Sequence, residues 1–253
     1  MIQFPMNLVE ANAVRVKNNG PNNSQTLLQV ALDADMGVLV NRPLNAIKDG
    51  ELLRLSDFDC RTPDQSSKKL HKVVAELEAE FLEGLAGAFE SGGVPTTELF
   101  CFSEPLKTVA GQISDAIQWD GYISQVFSPE ISRRVEHVNE ILSGPLQAAW
   151  HLWLERYVDA MSDLSDAYRV ACARLSQKRS NKIHSAVEPF IPSDMQTATL
   201  SQKALYCVLG QLGVTVALVG MRQPHYVDDA LSLLDRAQMQ TSDSALSALG
   251  KIK

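Results

Sequence analysis

"VTVALVGMRQPHYVDDAL", Val214 to Leu231, is the stretch from which the rest of the chain is read. Its first six residues are apolar or β-branched and fit a buried strand, Gly220 then breaks the run, and Pro224 suits the first turn of a helix. The turn between them carries Arg222. A glycine lets the backbone pass close to a ligand, arginine offers a fork of donors, and a helix N-terminus directs free N–H groups at the same place, so an anion such as phosphate fits there. The other reading is a strand-to-helix turn whose glycine is sterically required and whose arginine is merely solvated. Spacing alone leaves both open.

The same grammar precedes and opens the chain. "TLSQKALYCVLGQLG", Thr199 to Gly213, reads as a helix from about Leu200 with a turn at Gly213, feeding a strand from Val214 to Val219. "SQTLLQVALDADMGVLVNRPL", Ser24 to Leu44, sets Leu27, Leu28, Ala31, Leu32 and Ala34 on a helical face, with Gly37 as its C-cap and a strand from Val38 to Val40. At the start, Ile2 and Phe4 fit an extended segment that Pro5 interrupts. Short apolar strands separated by helices imply parallel pairing, hence α/β architecture.

A block of different texture lies between, from about 56 to 198, leaving α/β segments at 1–55 and 199–253. Leu70, Val73, Val74, Leu77, Phe81, Leu85 and Phe89 recur at helical spacing, with Glu76, Glu78, Glu80 and Glu83 largely on the other faces and "SGG" at Ser91 to Gly93 ending the helix. Helices are expected from about Glu104 to Trp119, from about Pro129 to Leu142 and from Pro145 onward. The last carries a stripe of Leu146, Trp150, Trp153, Tyr157, Met161, Leu164, Tyr168, Ala171 and Leu175, which reads as core. "SQKRSNKIHSAVEPFIPSD", Ser176 to Asp194, is polar and basic with two prolines and reads as a return linker. The tail from Thr241 to Lys253 reads as a short or frayed helix. The whole is helix-dominated.

A chain of 253 residues with 45% apolar content can bury a sizeable core. Its net charge of -7 argues against charge-driven binding to nucleic acid or to an anionic membrane. Cys60, Cys101, Cys172 and Cys207 lie too far apart for a CxxC motif, and no secretory leader is evident, so free thiols in a reducing cytoplasm are expected. No apolar run is long enough to span a bilayer.

Two further places could serve a site. The strand ending at Val40 delivers Asn41, Arg42, Pro43 and Leu44 to the edge where parallel α/β folds bind ligands. Gln3 and Asn7, at the end of the opening strand, could each pair with a carboxamide or simply cap the next helix. The five histidines are scattered without metal spacing, His225 reading as a surface residue, and no nucleophile elbow, phosphate loop or dinucleotide fingerprint is present.

Taken in order, these pieces resemble the C-terminal half of the aldo/keto reductase family. "IQFPMNLVEANAV" is similar to that family's sixth barrel strand, "MGVLVNRPLNA" to its seventh strand and loop, and "LGVTVALVGMRQPHYVDDAL" to its eighth strand and final helix. The resemblance implies a partial (β/α)8 TIM barrel interrupted by a large helical insertion, binding NADP(H) at the C-terminal ends of its strands. It implies that Gln3 faces the nicotinamide carboxamide, that Asn41 stands where the nicotinamide ring is stacked, and that Arg42, Pro43 and Leu44 run beside the pyrophosphate. Gly220, Met221 and Arg222 would hold the 2′-phosphate, with Tyr226 and Asp229 on the adenine side. The family's catalytic Asp, Tyr, Lys and His belong to the barrel half that this chain does not resemble, and none is assigned here. Three parallel strands cannot close a barrel of eight, so the resemblance implies one of four outcomes: a truncated sequence, a separate N-terminal half-barrel, a second copy that pairs the open edges, or a remnant stabilised by its helical block, with a small carbonyl substrate for the complete enzyme. The alternative expectation is a non-catalytic helical interaction module on an α/β scaffold.

Overall fold

A computed structural model describes residues 1–61, 65–85, 99–142 and 144–234. Phe89, the "SGG" stop and the tail from Thr241 lie outside them. The chain divides into two compact units, one of Met1–Asp57 with Lys178–Lys253 and the other of Phe58–Gln177. Among the described residues it is helix-dominated, with two small sheets.

The first unit holds a parallel sheet of β1 (Ile2–Pro5), β2 (Val38–Asn41) and β5 (Val216–Ala217), in that spatial order. Ile2 pairs with Val38 and Pro5 with Asn41, while Leu39 and Val40 pair with Val216 and Ala217. This alternation sends Phe4, Val38 and Val40 into a buried core with Leu28, Leu205 and Val208. Gln3, Pro5, Leu39, Asn41, Val216 and Leu218 share the opposite face, which is exposed to half-buried.

Pro5 does not interrupt the pairing. Ile2 N and Met6 N donate toward β2, to Gly37 O and Asn41 O, so the amide that proline lacks falls on the outer edge. β5 is shorter than Val214–Val219, yet Thr215 N to Val38 O (3.0 Å) and Leu218 N to Val40 O (2.8 Å) carry the pairing one residue either side.

Helix α1 (Asn12–Arg15) is one turn, and α2 (Leu27–Asp33) opens with a capping box between Thr26 and Gln29. It does not end at Gly37. Asp35 takes the left-handed conformation at φ 51°, and Met36 N to Ala31 O with Asp35 N to Leu32 O completes a Schellman motif. Gly213 is the glycine that the turn requires: its φ is +98°, and a Cβ there would meet Leu28 at 3.3 Å.

An antiparallel hairpin, β3 (Asn45–Lys48) and β4 (Glu51–Arg54), follows β2 and was not foreseen. Its two-residue turn is Asp49 and Gly50, with φ 52° and 83°, the geometry that an Asp-Gly pair favours.

In the second unit, α3 (Ser67–Gly84), α4 (Ser103–Gln112), α5 (Ala116–Tyr122), a π-helical segment (Ile123–Phe127), α6 (Ser128–Ile141) and the start of α7 (Pro145–Val187) enclose an aromatic core. Trp150, Trp153 and Tyr157 stack along α7, with ring centroids 5.4 and 4.7 Å apart. Leu146 and Leu175, at the two ends of the expected stripe, are exposed. The stretch expected as one helix from Glu104 to Trp119 is two, broken between Gln112 and Ala116, with Asp115 capping the second.

Glu78 departs from the expected pattern, being buried rather than solvent-facing. It accepts from Phe102 N (2.7 Å), Ser103 N (2.8 Å), Ser103 Oγ (2.5 Å) and Tyr157 Oη (3.0 Å). A buried carboxylate persists when its lone pairs are matched this way. Burial, then the Glu78 charge, raises the Tyr157 phenol above its ordinary pKa, so it stays a donor.

The segment read as a linker is helical through Val187. Ser176, Ser180, Ile183 and Val187 form its buried stripe, and the serines are satisfied by Asp115 Oδ2 (3.0 Å) and Ser56 O (2.7 Å). Polar residues at core positions hid the helical period. The first unit is completed by α8 (Leu200–Leu209), whose capping box joins Thr199 and Gln202, and by α9 (Pro224–Leu231).

Candidate functional site

The carboxyl ends of β1, β2 and β5 bring most of the sequence-predicted residues to one edge. Each strand hands its chain to a loop there, and backbone groups no longer paired in the ladder become available to side chains or ligands.

After β1, Asn7 is wholly buried. Its Oδ1 accepts from Val9 N (3.0 Å) and Glu10 N (2.8 Å), closing an Asx turn. Its Nδ2 donates to Glu10 Oε2 (3.0 Å) and Arg42 O (3.2 Å), fastening the loop after β1 to the loop after β2. Glu10 also takes Ile47 N (2.9 Å) and the Arg42 guanidinium (2.6 Å). Asn7 and Glu10 thus organise this edge.

Arg42 is consequently not the open cation that its position implies. Its charge is matched by Glu10, and its backbone sits at φ 55°, a conformation that costs a side-chain-bearing residue free energy and that the Asn7 and Glu10 contacts enforce. Pro43 is buried and Leu44 packs into the core of the sheet, so neither faces a ligand. Asn41 differs: its Oδ1 is buried and has no hydrogen-bond partner, an acceptor that calls for a donor. Gln3 is exposed on the same sheet face.

After β5, Gly220, Met221 and Arg222 are exposed. A Cβ placed on Gly220 would meet nothing within 4 Å, and its φ lies outside the left-handed region. The fold does not require glycine there, which removes the steric reading and leaves open space beside the backbone. Arg222 makes no ion pair among the described residues. Directly after it, α9 begins at Pro224 with no side-chain cap from Gln223.

Tyr226 is half-buried, with the Arg54 guanidinium 5.3 Å from its ring centroid. Asp229 does not stand free for an adenine. It accepts from Thr199 Oγ1 (2.8 Å) and from Ser201 Oγ, tying α9 to the first turn of α8.

A second polar cluster in this unit escaped the sequence reading. Lys203, its side chain 1% exposed, places Nζ 2.9 Å from His184 Nδ1 and 3.5 Å from Glu188. His184 Nε2 lies 2.8 Å from Asp57, whose other oxygen takes Leu200 N at 3.0 Å. With Lys203 as donor to Nδ1, the imidazole presents its proton to Asp57. The signal was a lysine on the apolar stripe of α8, among Leu200, Ala204 and Cys207. Among the described residues, no group of acidic, His and Cys side chains is placed to hold a metal ion, and no helix is long and apolar enough to cross a membrane.

Compared with protein families, with curated proteins and with solved structures, the chain matches none.

Proposed function

We propose that the carboxyl edge of the parallel sheet binds NADP(H), the chain acting as the cofactor-binding half of an aldo/keto reductase-like oxidoreductase for small carbonyl compounds. The observation that carries this reading is Arg222: an exposed, uncompensated guanidinium beside open space at Gly220 and an uncapped helix N-terminus. Arg222 takes the 2′-phosphate through charge-assisted hydrogen bonds. On the open sheet face, the exposed Gln3 meets the carboxamide, with Asn41 on the same face. Arg42 acts indirectly, holding the loop in place through Glu10. NADP(H) supplies hydride when bound; the proton donor and the remaining wall come from a second chain or a second copy.

The experiment is a titration of the purified chain with NADPH and NADH, read by nucleotide fluorescence and melting temperature. NADPH is expected to bind on the order of tenfold more tightly than NADH, and Arg222→Ala to remove that preference, as losing a charged hydrogen bond requires. No response to either nucleotide would sink the reading.

A second reading, a helical interaction module, is favoured by the apolar side chains that α7 leaves exposed, Leu152 at 67% above all. A monodisperse monomer whose solution properties are unchanged by Leu152→Glu would end it.

A further inference from the structure

The second unit carries a cavity of about 580 Å³ between the π-helical segment, α6 and α7. Phe127, Ile131 and Val135 form one wall, and Leu154, Val158 and Met161 the other. Small-molecule sites have volumes of this order and are mostly apolar, with a few polar groups that fix orientation. Val158 is 46% exposed, so the apolar wall is open to solvent rather than sealed by the helices that form it. The π-helical turn that supplies Ile123 and Phe127 is a local widening of the helix, found frequently at functional sites.

Charge narrows the ligand class. Glu136 and Asp166 are the charged side chains in the lining, and no lysine or arginine lines it. Nearby acids are compensated: Glu130 by Arg133 and Arg134, Asp120 by Arg169. Glu136 and Asp166 make no ion pair among the described residues; Asp166 lies in the field of Arg169, but that guanidinium is held by Asp120 at 2.7 Å. An apolar cleft edged by two unpaired carboxylates repels a fatty acid or a phosphate and attracts one positive charge.

We propose that this cavity binds a small amphiphilic amine, its aryl or alkyl body between Ile131 and Val158 and its ammonium beside Glu136 and Asp166. The site is separate from the NADP(H) reading and stands whether or not that reading holds.

Three probes with one body test it by calorimetry on the full chain: 4-phenylbutylamine, 4-phenylbutanol and 4-phenylbutyrate. The amine is expected to bind saturably with one site, the alcohol more weakly, and the acid not at all. Ser162→Trp, which fills the cavity from an exposed position on α7, abolishes amine binding with helicity by circular dichroism unchanged. The double variant Glu136→Gln, Asp166→Asn weakens the amine about fivefold, the modest effect of two exposed charges, and leaves the alcohol unaffected. Acid binding equal to amine binding, or amine binding that survives Ser162→Trp, overturns the proposal. So does a dimer in light scattering that Val158→Arg dissociates, because the occupant would then be a second copy.

Discussion

Gly220 shows how a single residue separates two accounts of the same turn. From sequence, glycine between a strand and a helix is ambiguous; in the structure its φ and its surroundings both accept a side chain. Gly220→Ala should therefore leave the melting temperature unchanged or slightly raised, since stability shifts at such sites stay within about 1 kcal/mol. It should weaken NADPH binding severalfold by intruding on the space beside the backbone. A clear loss of stability would restore the steric account. Other residues were not legible at this scale, for a reason they share. Glu78, Asn7 and Lys203 occupy buried positions, and what makes each tolerable lies far along the chain, as with Glu78 and Tyr157 or Asn7 and Arg42. A one-dimensional pattern records the polar residue but not its distant partner.

At the scale of elements, what local chemistry decides was readable. The helix starts at Thr199 and Pro224, the turn at Gly213 and the strand after Met36 follow from capping, φ requirements and apolar runs. The Asp49-Gly50 hairpin is equally local in its signal, whereas the end of α7 is hidden by serines on the buried stripe. The contact most exposed to mutation here is the one by which Glu78 of α3 caps the start of α4 and meets α7. Glu78→Ala strands two backbone N–H groups and a phenol in the interior, at a cost of about 3 kcal/mol. Urea unfolding followed by tryptophan emission should show a markedly lower midpoint. A midpoint shift smaller than that of a surface Glu76→Ala control would refute the role given to this carboxylate.

For the molecule as a whole, the α/β character, the three strands of the parallel sheet and the helical block were legible, whereas the antiparallel hairpin that follows β2 was not foreseen. The division into two units gives each its own reporter. Trp119, Trp150 and Trp153 all lie in the Phe58–Gln177 unit, and Cys207 is buried in the other. Burial pushes the Cys207 thiol up from 9.0 to about 12. The folded state therefore holds its proton more tightly than the unfolded state does. That contribution to stability is complete below pH 9 and is lost as pH rises toward 12. At pH 8, alkylation of Cys207 requires opening of the first unit, so its rate, read by peptide mass spectrometry, tracks that unit alone. NADPH is expected to slow Cys207 alkylation and leave the tryptophan unfolding curve in place. Equal shifts of both reporters would mean that the units open together.

Pro5 has a bearing on how copies of this chain behave at high concentration. Sheet edges invite other strands when they offer a row of free amides. Along the outer edge of β1 the alternating positions are Gln3, Pro5 and Asn7; Pro5 has no N–H, and that of Asn7 is taken by Glu10 O at 3.0 Å. Of the N–H groups on this edge, the one left to an incoming strand between Ile2 and Asn7 is that of Gln3. This edge is thus a poor template for fibrillar stacking, and a complementary chain that continued the backbone ladder would have to do so at the opposite edge of the sheet, along β5.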